Sequence, residues 1–376
     1  MSDFSKLKDY IESLNDRYPL ASSDVIVMKE HEQLFRCMSG FRHPERGIPL
    51  DGSELYYIYS CTKMCTCVAA MQLIEKGKLS LSDKLADYIP EFSDMSVKCG
   101  DGTVIKAKNP ITIRNLMTMT GGFGYDIGNK IITDAIKKNP EISTLELVRE
   151  MSQMTLHFQP GTRYEYSLCH DILAAVVEVV SGMKFSEYLN VNIFEPLGMT
   201  RTGFTLKESD KNDLASAAFV NEDGSFTDLH DGCCFMLSKN YESGGAGLIS
   251  STEDYIKLVD ALANDGVGKT GNRILTRESI DRLRKDELSD ELKIGFTKGP
   301  EYSYGLGFRT LVTKKCGAKS PLGEFGWDGA RGCYYLIDPE NHIAIYYSTQ
   351  IASEHGFIYS EVHPTIRNLV YEALEK

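Results

Sequence analysis

Residues 56–77 read YYIYSCTKMCTCVAAMQLIEKG and change from a strand-like to a helical pattern at Ser60. The aromatic and β-branched run of residues 56–59 is typical of a β-strand. From Cys61 to Lys76 the apolar residues recur at helical spacing, and Gly77 then supplies a conformation in which helices commonly end. The sequence therefore predicts that Ser60 lies where a strand gives way to a helix.

Ser60 and Lys63 form a Ser-x-x-Lys pair at this junction. Their spacing places both side chains on one helix face, and the helix dipole favours negative charge developing on the hydroxyl. Burial would lower the pKa of the lysine, so that it can assist the hydroxyl as a nucleophile. The simpler alternative is a helix-capping serine beside a solvated lysine, and residues 5–8 and 181–184 carry the same spacing without this context.

Strand-like runs lie near both ends of the chain, whereas helical patterns dominate the middle. The predicted strands are residues 24–28, 33–38, 56–59, 302–308, 333–337 and 343–347. The predicted helices, besides residues 61–76, are residues 4–14, 170–180, 252–264 and a last helix that begins at Pro364. This order predicts an α/β (α+β) fold whose one antiparallel sheet is built from both chain ends and flanked by helices. An all-helical lobe, residues 79–239, is then inserted into an α/β lobe of residues 1–78 and 240–376.

Composition and charge exclude several classes of protein. The chain has 376 residues, of which 42% are apolar and 25% charged, as in ordinary globular proteins. A formal net charge of −12 argues against nucleic acid or an anionic membrane as the main partner. No apolar run approaches the roughly 20 residues of a membrane span, and the N-terminus lacks the apolar segment of a secretory signal. We therefore expect a cytoplasmic protein whose ten cysteines are reduced thiols rather than disulfides or zinc ligands.

Other catalytic patterns are missing or out of context. The Gly-x-Ser-x-Gly elbow of α/β-hydrolases does not occur. Residues 268–270 resemble the end of a phosphate-binding loop, but alanine replaces its first glycine and a helix precedes it in place of a strand. Ser167, His170 and Asp171 are too close together on one helix to converge as a Ser/His/Asp set.

Further segments follow the Ser-x-x-Lys pair in a fixed order. They are GKLSLSD at 77–83, YIPEF at 88–92, ITIRNLMTMTGG at 111–122, PGTRYEYS at 160–167, FEPLGM at 194–199 and GGAGL at 244–248. With the run into Ser60, they resemble the serine β-lactamase and penicillin-binding protein superfamily, in its class C β-lactamase and family VIII-type esterase branch. The resemblance covers nearly the whole chain and implies a β-lactamase-like fold with Ser60 as the nucleophile and Lys63 beside it.

The family's second motif, Tyr-x-Asn, reads Tyr166-Ser167-Leu168 in this chain. The resemblance makes Tyr166 the third catalytic residue, a phenol that acts as general base when the Lys63 cation stabilises its phenolate. Leu168 stands where the family's asparagine helps hold a substrate amide and the lysine. We therefore expect Leu168 at the substrate site, where leucine neither donates nor accepts a hydrogen bond.

Two segments compete for the third motif, which is usually Lys-Thr-Gly. Residues 269–271 spell it but follow a helix in a polar loop, whereas Trp327-Asp328-Gly329 precedes a predicted strand, as in esterase-like members. The second match implies an oxyanion hole made by the backbone N–H groups of Ser60 and Ala330.

Loss of the motif's lysine affects the expected substrate. Trp327 offers no charge for an antibiotic's carboxylate, although Arg331 is close enough in sequence to supply one. Tyr125 and Trp327 are expected to line an aromatic acyl pocket, with Asp328 and Gly329 beside them. These features favour an esterase or amidase over a resistance β-lactamase.

We therefore predict a serine hydrolase of the β-lactamase family that acts through an acyl-enzyme on a small-molecule acyl substrate, with no metal or organic cofactor. Two alternatives stay open. One is a catalytically weak binding protein of the same fold, suggested by Leu168, and the other is a D-amino-acid peptidase or β-lactamase. The sequence makes no prediction of oligomeric state.

Overall fold

The computed structural model describes residues 2–221, 225–228, 232–352 and 356–375. Its strands are β1 (Ser22–Lys29), β2 (Glu32–His43), β3 (Ile48–Pro49), β4 (Leu55–Tyr57), β5 (Ser96–Lys98), β6 (Val104–Lys106), β7 (Thr155–Leu156), β8 (Ala218–Val220), β9 (Phe226–Asp228), β10 (Ile249–Ser251), β11 (Tyr302–Tyr304), β12 (Arg309–Leu311), β13 (Phe325–Asp328), β14 (Tyr334–Asp338) and β15 (Ile343–Ser348). Its α-helices are α1 (Ser5–Arg17), α2 (Thr62–Glu75), α3 (Leu85–Tyr88), α4 (Ile113–Met117), α5 (Lys130–Lys138), α6 (Thr144–Met151), α7 (Cys169–Ser181), α8 (Phe185–Leu189), α9 (Glu195–Leu197), α10 (Thr252–Ala263), α11 (Arg277–Arg284) and α12 (His363–Leu374).

Eight of these strands form one sheet in the order β11-β12-β13-β14-β15-β1-β2-β3. All neighbouring pairs in it are antiparallel. β1 joins the two chain ends, because it pairs with β2 on one side and with β15 on the other. The prediction of one antiparallel sheet built from both ends is therefore confirmed.

Helices cover both faces of this sheet, since successive side chains of a strand point to opposite faces. On β1, Val25 and Val27 pack in a cluster with α1 and α12. Ile26, between them, packs in a larger cluster that contains residues of α2, α7 and α10. The sheet is the middle of three layers, and the central helices lie on one side of it.

α2 is an interior helix, and it carries Lys63. Its residues 62–73 are all buried, and it packs against α7. A helix that is apolar on nearly all sides suits such a position. Gly77 follows its end with φ 66°, as the sequence predicts.

The region between residues 79 and 239 is mainly, but not entirely, helical. Besides α3 to α9 it holds a small sheet in the order β6-β5-β7 and the pair β8–β9. The expectation of an all-helical lobe is corrected accordingly, because strands of two or three residues are too short for an alternating pattern to reveal. The lobe boundaries themselves stay a prediction.

Residues 302–308, predicted as one strand, are divided between a strand and a turn. β11 ends at Tyr304, and β12 then pairs back onto it. The Gly305 N–H donates to the Phe308 carbonyl, and Gly307 has φ 100°, a conformation open to glycine. The two glycines therefore end a strand that the alternation of large side chains alone would continue.

Candidate active site

Ser60 lies in a tight turn between a short strand and the central helix. β4, which pairs with β10, leads through a 3-10 turn at Tyr59–Cys61 into α2. Tyr59 has φ 46°, a left-handed conformation that costs a non-glycine residue about 1–3 kcal/mol. The surrounding structure holds this strained turn in place, and Ser60 remains 8% exposed.

Lys63 reaches Ser60 from one helical turn further along α2. Its Nζ lies 3.2 Å from Ser60 Oγ, 2.7 Å from the Gly245 carbonyl oxygen and 3.3 Å from the Tyr125 hydroxyl. All three contacts are with uncharged oxygens, so among the described residues the lysine is held by hydrogen bonds and contacts no carboxylate.

The surroundings of Lys63 favour its uncharged form. The side chain is fully buried, and desolvation lowers the pKa of its ammonium to about 8. The negative charge of Asp171 acts in the opposite direction. The result is a lysine that exchanges its proton close to neutral pH, which suits general acid–base work.

Tyr166 arrives at the same point from the loop before α7. Its hydroxyl accepts a hydrogen bond of 3.2 Å from Trp327 Nε1, and it lies close enough to Ser60 for the serine side chain to influence its pKa. Its ring stacks on Tyr125 at a centroid distance of 5.3 Å and on Trp327 at 5.5 Å. The structure therefore brings together the hydroxyl, ammonium and phenol of positions 60, 63 and 166.

Lys63 contacts the aromatic ring of Tyr166. The sequence-based hypothesis instead expects the lysine charge to act on the phenolic oxygen. Lys63 Nζ lies 4.6 Å from the ring centroid, a cation–π distance. Burial raises the pKa of Tyr166 well above its ordinary value, so the phenol is protonated. Of the two groups, the lysine is the one whose pKa lies near neutrality.

A cavity of about 270 Å³ opens beside Ser60. Half of its lining residues are aromatic, and they come from distant parts of the chain. The wall consists of Ser60, Tyr164, Tyr166, Phe296, Thr297, Lys298, Trp327, Asp328, Ala330 and Tyr359. The serine thus faces a space of suitable size for a small acyl group.

Gly329 allows the loop after β13 to approach the turn that holds Ser60. A Cβ at this position would lie 2.5 Å from the Ile58 carbonyl oxygen, so a larger residue would push the two segments apart. Ala330, the next residue, lines the cavity with Ser60. An oxyanion hole formed by these two N–H groups requires such a placement and stays a prediction.

Asp328 faces the cavity as one half of an ion pair. Lys298 Nζ donates to its two carboxylate oxygens at 2.7 and 2.8 Å, and Arg309 Nη1 lies 3.4 Å from one of them. Burial alone would raise the pKa of Asp328, but the two cations together hold it below its ordinary value.

Three residues that were predicted to contact the substrate are not among the residues that line the cavity. Leu168 is 1% exposed and packs in the core, so it does not face the cavity. The Arg331 guanidinium donates to the Tyr59 hydroxyl at 3.3 Å and to the Ile351 carbonyl at 3.4 Å, which draws it away from the wall. Tyr125 contacts Lys63 but is not among the residues that line the cavity. The expected substrate contacts of these residues stay a prediction.

Residues 269–271, the other Lys-Thr-Gly segment, lie in the loop after α10. Lys269 pairs with the exposed Glu32 at 3.1 Å, and the Thr270 hydroxyl donates to the Pro196 carbonyl. Trp327 and Asp328 line the cavity, and residues 269–271 do not.

Sequence reasoning missed several residues at the site. Lys298, Phe296 and Tyr359 line the cavity but belong to no recognised motif, so only the folded chain brings them there. Asp171 was also missed, although it gave a signal. It is an acidic residue at the start of the mainly apolar α7, and a carboxylate buried in such a run needs a partner.

The described residues show neither a cluster of metal-ligating side chains nor a helix that could span a membrane. Within them, no group of three or more His, Cys, Asp or Glu side chains is placed to hold a metal ion. The buried cysteines, Cys61, Cys65 and Cys67 of the central helix region among them, are free thiols. Across the same ranges, no helix combines the length and apolar character needed to cross a membrane.

A family model described as Beta-lactamase matches residues 7–358. This chain belongs to the beta-lactamase family. Esterase EstB of Burkholderia gladioli is 27% identical to this chain over 361 residues. The match covers 89% of this chain and 87% of EstB. A putative D-alanyl-D-alanine carboxypeptidase of Escherichia coli O157:H7 is 30% identical over 352 residues, covering 86% and 76%. The solved structure of EstCE1, described as a hydrolase with promiscuous acyltransferase activity, has a TM-score of 0.80 at 24% identity and covers 98% of both chains.

These matches confirm the superfamily and the fold that the motifs predicted. Membership of the beta-lactamase family, with esterase and peptidase relatives, supports a hydrolase. The class C branch within the family stays a prediction.

Proposed function

We propose that this beta-lactamase family member is a serine hydrolase that cleaves esters or amides of small acyl compounds through an acyl-enzyme on Ser60. One observation carries the proposal. Ser60 Oγ lies 3.2 Å from the Nζ of a fully buried lysine, whose pKa is lowered to about 8, at the wall of a cavity. A serine hydroxyl in contact with a base of this kind is the arrangement of an activated nucleophile.

Acylation begins when the neutral amine of Lys63 accepts the Ser60 proton as Oγ attacks the substrate carbonyl carbon. The resulting oxyanion lies between the N–H groups of Ser60 and Ala330, and each such donor is worth about 3 kcal/mol. The bond to the leaving alcohol or amine then breaks, and a proton passes to it by way of the Tyr166 hydroxyl beside Ser60.

Deacylation uses the same groups in reverse. A water molecule gives up a proton to the basic pair and attacks the acyl carbonyl, and the oxyanion forms at the same two donors. Collapse of this intermediate returns the proton to Ser60 and releases the acid. The net reaction consumes one ester or amide and one water, and yields an acid with an alcohol or amine.

The cavity supports neutral acyl substrates. Five of its ten lining residues are aromatic, and its cation Lys298 is already bonded to Asp328. A substrate carboxylate would have to compete with Asp328 for this lysine. The name of EstB, an esterase that matches 89% of this chain, supports the same choice.

Lys298 also favours a second candidate, a hydrolase of D-alanyl peptides or β-lactams, since both carry a carboxylate. It supplies a cation at the wall from a different segment than the predicted Arg331. The relative named as a putative D-alanyl-D-alanine carboxypeptidase supports this candidate. The binding-protein alternative, which depended on Leu168 in place of the family's asparagine, stays a prediction, and a wild type without hydrolysis of any of these substrate classes would select it.

Parallel assays with p-nitrophenyl butyrate, a D-alanyl-D-alanine peptide and a chromogenic cephalosporin test the proposal. We expect ester hydrolysis to be fastest in the wild type and to fall at least about 10³-fold in Ser60→Ala. Ester hydrolysis that persists in Ser60→Ala would reject Ser60 as the nucleophile. Faster cleavage of the peptide or the cephalosporin would select the second candidate.

A further inference from the structure

Asp171 is a buried carboxylate that the proposed mechanism does not use. It lies in the first turn of α7 and is 1% exposed. Its Oδ1 accepts hydrogen bonds from the Tyr241 hydroxyl at 2.9 Å, the Ser243 hydroxyl at 2.6 Å and the Gly245 N–H at 3.4 Å. Asp171 thereby fixes the segment 243–245 against α7.

The second oxygen of this carboxylate points at the same segment. Within the described residues, Asp171 Oδ2 is buried and receives no hydrogen bond. A Cβ on Gly245 would lie 2.5 Å from Asp171 Oδ2 and 3.2 Å from the Tyr125 hydroxyl oxygen. These two oxygen atoms therefore both lie next to Gly245. A buried carboxylate oxygen without a donor is costly unless a positive charge lies near it.

Lys63 supplies that positive charge through the same peptide segment. The Gly245 N–H donates to Asp171, and the Gly245 carbonyl accepts the 2.7 Å hydrogen bond from Lys63 Nζ. The Tyr125 hydroxyl accepts a hydrogen bond from Lys63 at 3.3 Å and also lies next to Gly245. The Gly245 N–H and carbonyl belong to different peptide units, so the carboxylate acts on the ammonium through its charge and without touching it.

We propose that Asp171 is a positioning residue for Lys63. It orients residues 243–245 so that the Gly245 carbonyl faces the ammonium, and its negative charge sets the balance between the ammonium and the free amine. This inference rests on the proposed function, in which the free amine activates Ser60.

Within the described residues, the other ionisable groups around this pair do not supply such a charge. They are Cys61, Cys67, Tyr125, Tyr166, His170 and Asp328 around Lys63, and Tyr125 and Tyr241 around Asp171. Burial raises the pKa of the thiols and phenols and lowers the pKa of the imidazole to about 3, so all of these are uncharged. Asp328 is charged but paired with Lys298 and Arg309.

The pH dependence of kcat/KM for p-nitrophenyl butyrate separates the charge of Asp171 from its hydrogen bonds. Asp171→Asn keeps an oxygen for the same donors and removes the charge. Without the charge Lys63 releases its proton more easily, so we expect the acidic limb of the profile about one pH unit lower than in the wild type. Ser243→Ala is the matched control, since it removes one donor, keeps the charge and is expected to keep the wild-type midpoint.

Gly245→Ala changes the contact between Asp171 and residue 245 without altering Asp171 itself. It also tests the inference if Asp171→Asn fails to fold. Its methyl group would displace the carboxylate, so we expect a shift in the same direction, with kcat/KM reduced about tenfold. Midpoints that stay at the wild-type value in the folded variants would overturn the inference, as would an equal shift in Ser243→Ala. A wild type without Ser60-dependent hydrolysis would instead contradict the proposed function.

Discussion

Two lysines at the candidate active site, Lys63 and Lys298, differ in burial and in the groups that they contact. Lys63 is fully buried, contacts uncharged oxygens and has its pKa lowered to about 8. The Lys298 side chain is 25% exposed, contacts both oxygens of Asp328 and lies over the rings of Trp327 and Tyr359 at 5.0 and 4.7 Å. Burial lowers the pKa of Lys63 and prepares it to release its proton, whereas Lys298 is held in place by charge-assisted hydrogen bonds to Asp328. The same residue type is therefore expected to act as a base at one place and as an anchor at the other.

Replacement of Lys63 is expected to have the largest effect. Lys63→Met removes the base beside Ser60, and kcat for p-nitrophenyl butyrate should fall about 10³-fold. Lys63→Arg is the matched variant, because arginine keeps the positive charge but does not release a proton at accessible pH. Steady-state kinetics should show a similar loss in both. Activity close to wild type in Lys63→Arg would show that a fixed cation is sufficient.

The pH profile of the wild type sharpens the comparison further. The amine of Lys63 accepts a proton only when it is uncharged, and its pKa is about 8. We therefore expect kcat/KM to rise about tenfold per pH unit well below pH 8 and to level off above it. A profile that is flat between pH 6 and 9, or that falls across this range, would place the base elsewhere.

Tyr166 and Trp327 are expected to show smaller effects. Tyr166→Phe keeps the stacked ring and loses the hydroxyl beside Ser60, so kcat should fall about 10²-fold with little change in KM. Trp327→Phe keeps an aromatic ring at the cavity wall and removes the 3.2 Å hydrogen bond to that hydroxyl, so we expect kcat to fall about tenfold. A larger loss in Trp327→Phe than in Tyr166→Phe would reverse this assignment.

Lys298→Met is expected to have the smallest effect on a neutral ester. The lysine contacts Asp328, and Arg309 remains beside that carboxylate after the substitution. We expect kcat/KM for p-nitrophenyl butyrate to stay within about threefold of the wild type, since a partly exposed ion pair contributes about 1 kcal/mol or less. A loss greater than tenfold, confined to the D-alanyl peptide, would show that Lys298 binds a substrate carboxylate.

The comparison also shows which parts of the site the sequence could predict. Ser60 and Lys63 lie within one turn of chain, so local patterns of strand and helix were sufficient to place them together. Tyr166 was found through a motif of the family. Lys298 and Tyr359 have no local pattern, because only the order of strands in the sheet and the course of the C-terminal segment bring them to the cavity.

The positions of the Arg331 and Leu168 side chains also depend on contacts that their sequence neighbours do not reveal. Arg331 is adjacent in sequence to the cavity loop, but its guanidinium finds acceptors at Tyr59 and Ile351. Leu168, at the position of the family's asparagine, is drawn into the core as an apolar side chain is expected to be. Proximity in sequence predicted where the backbone of these residues runs, and the available partners decided where the side chains point.

Intact-protein mass spectrometry after exposure to a fluorophosphonate tests the central claim most directly, because the reagent reports an activated serine independently of the natural substrate. We expect the wild type to gain one adduct mass, located on Ser60 by peptide mapping. Ser60→Ala should gain none, and Lys63→Met should react at least about 10²-fold more slowly. Equal labelling of the wild type and Ser60→Ala, or an adduct on another residue, would contradict the account.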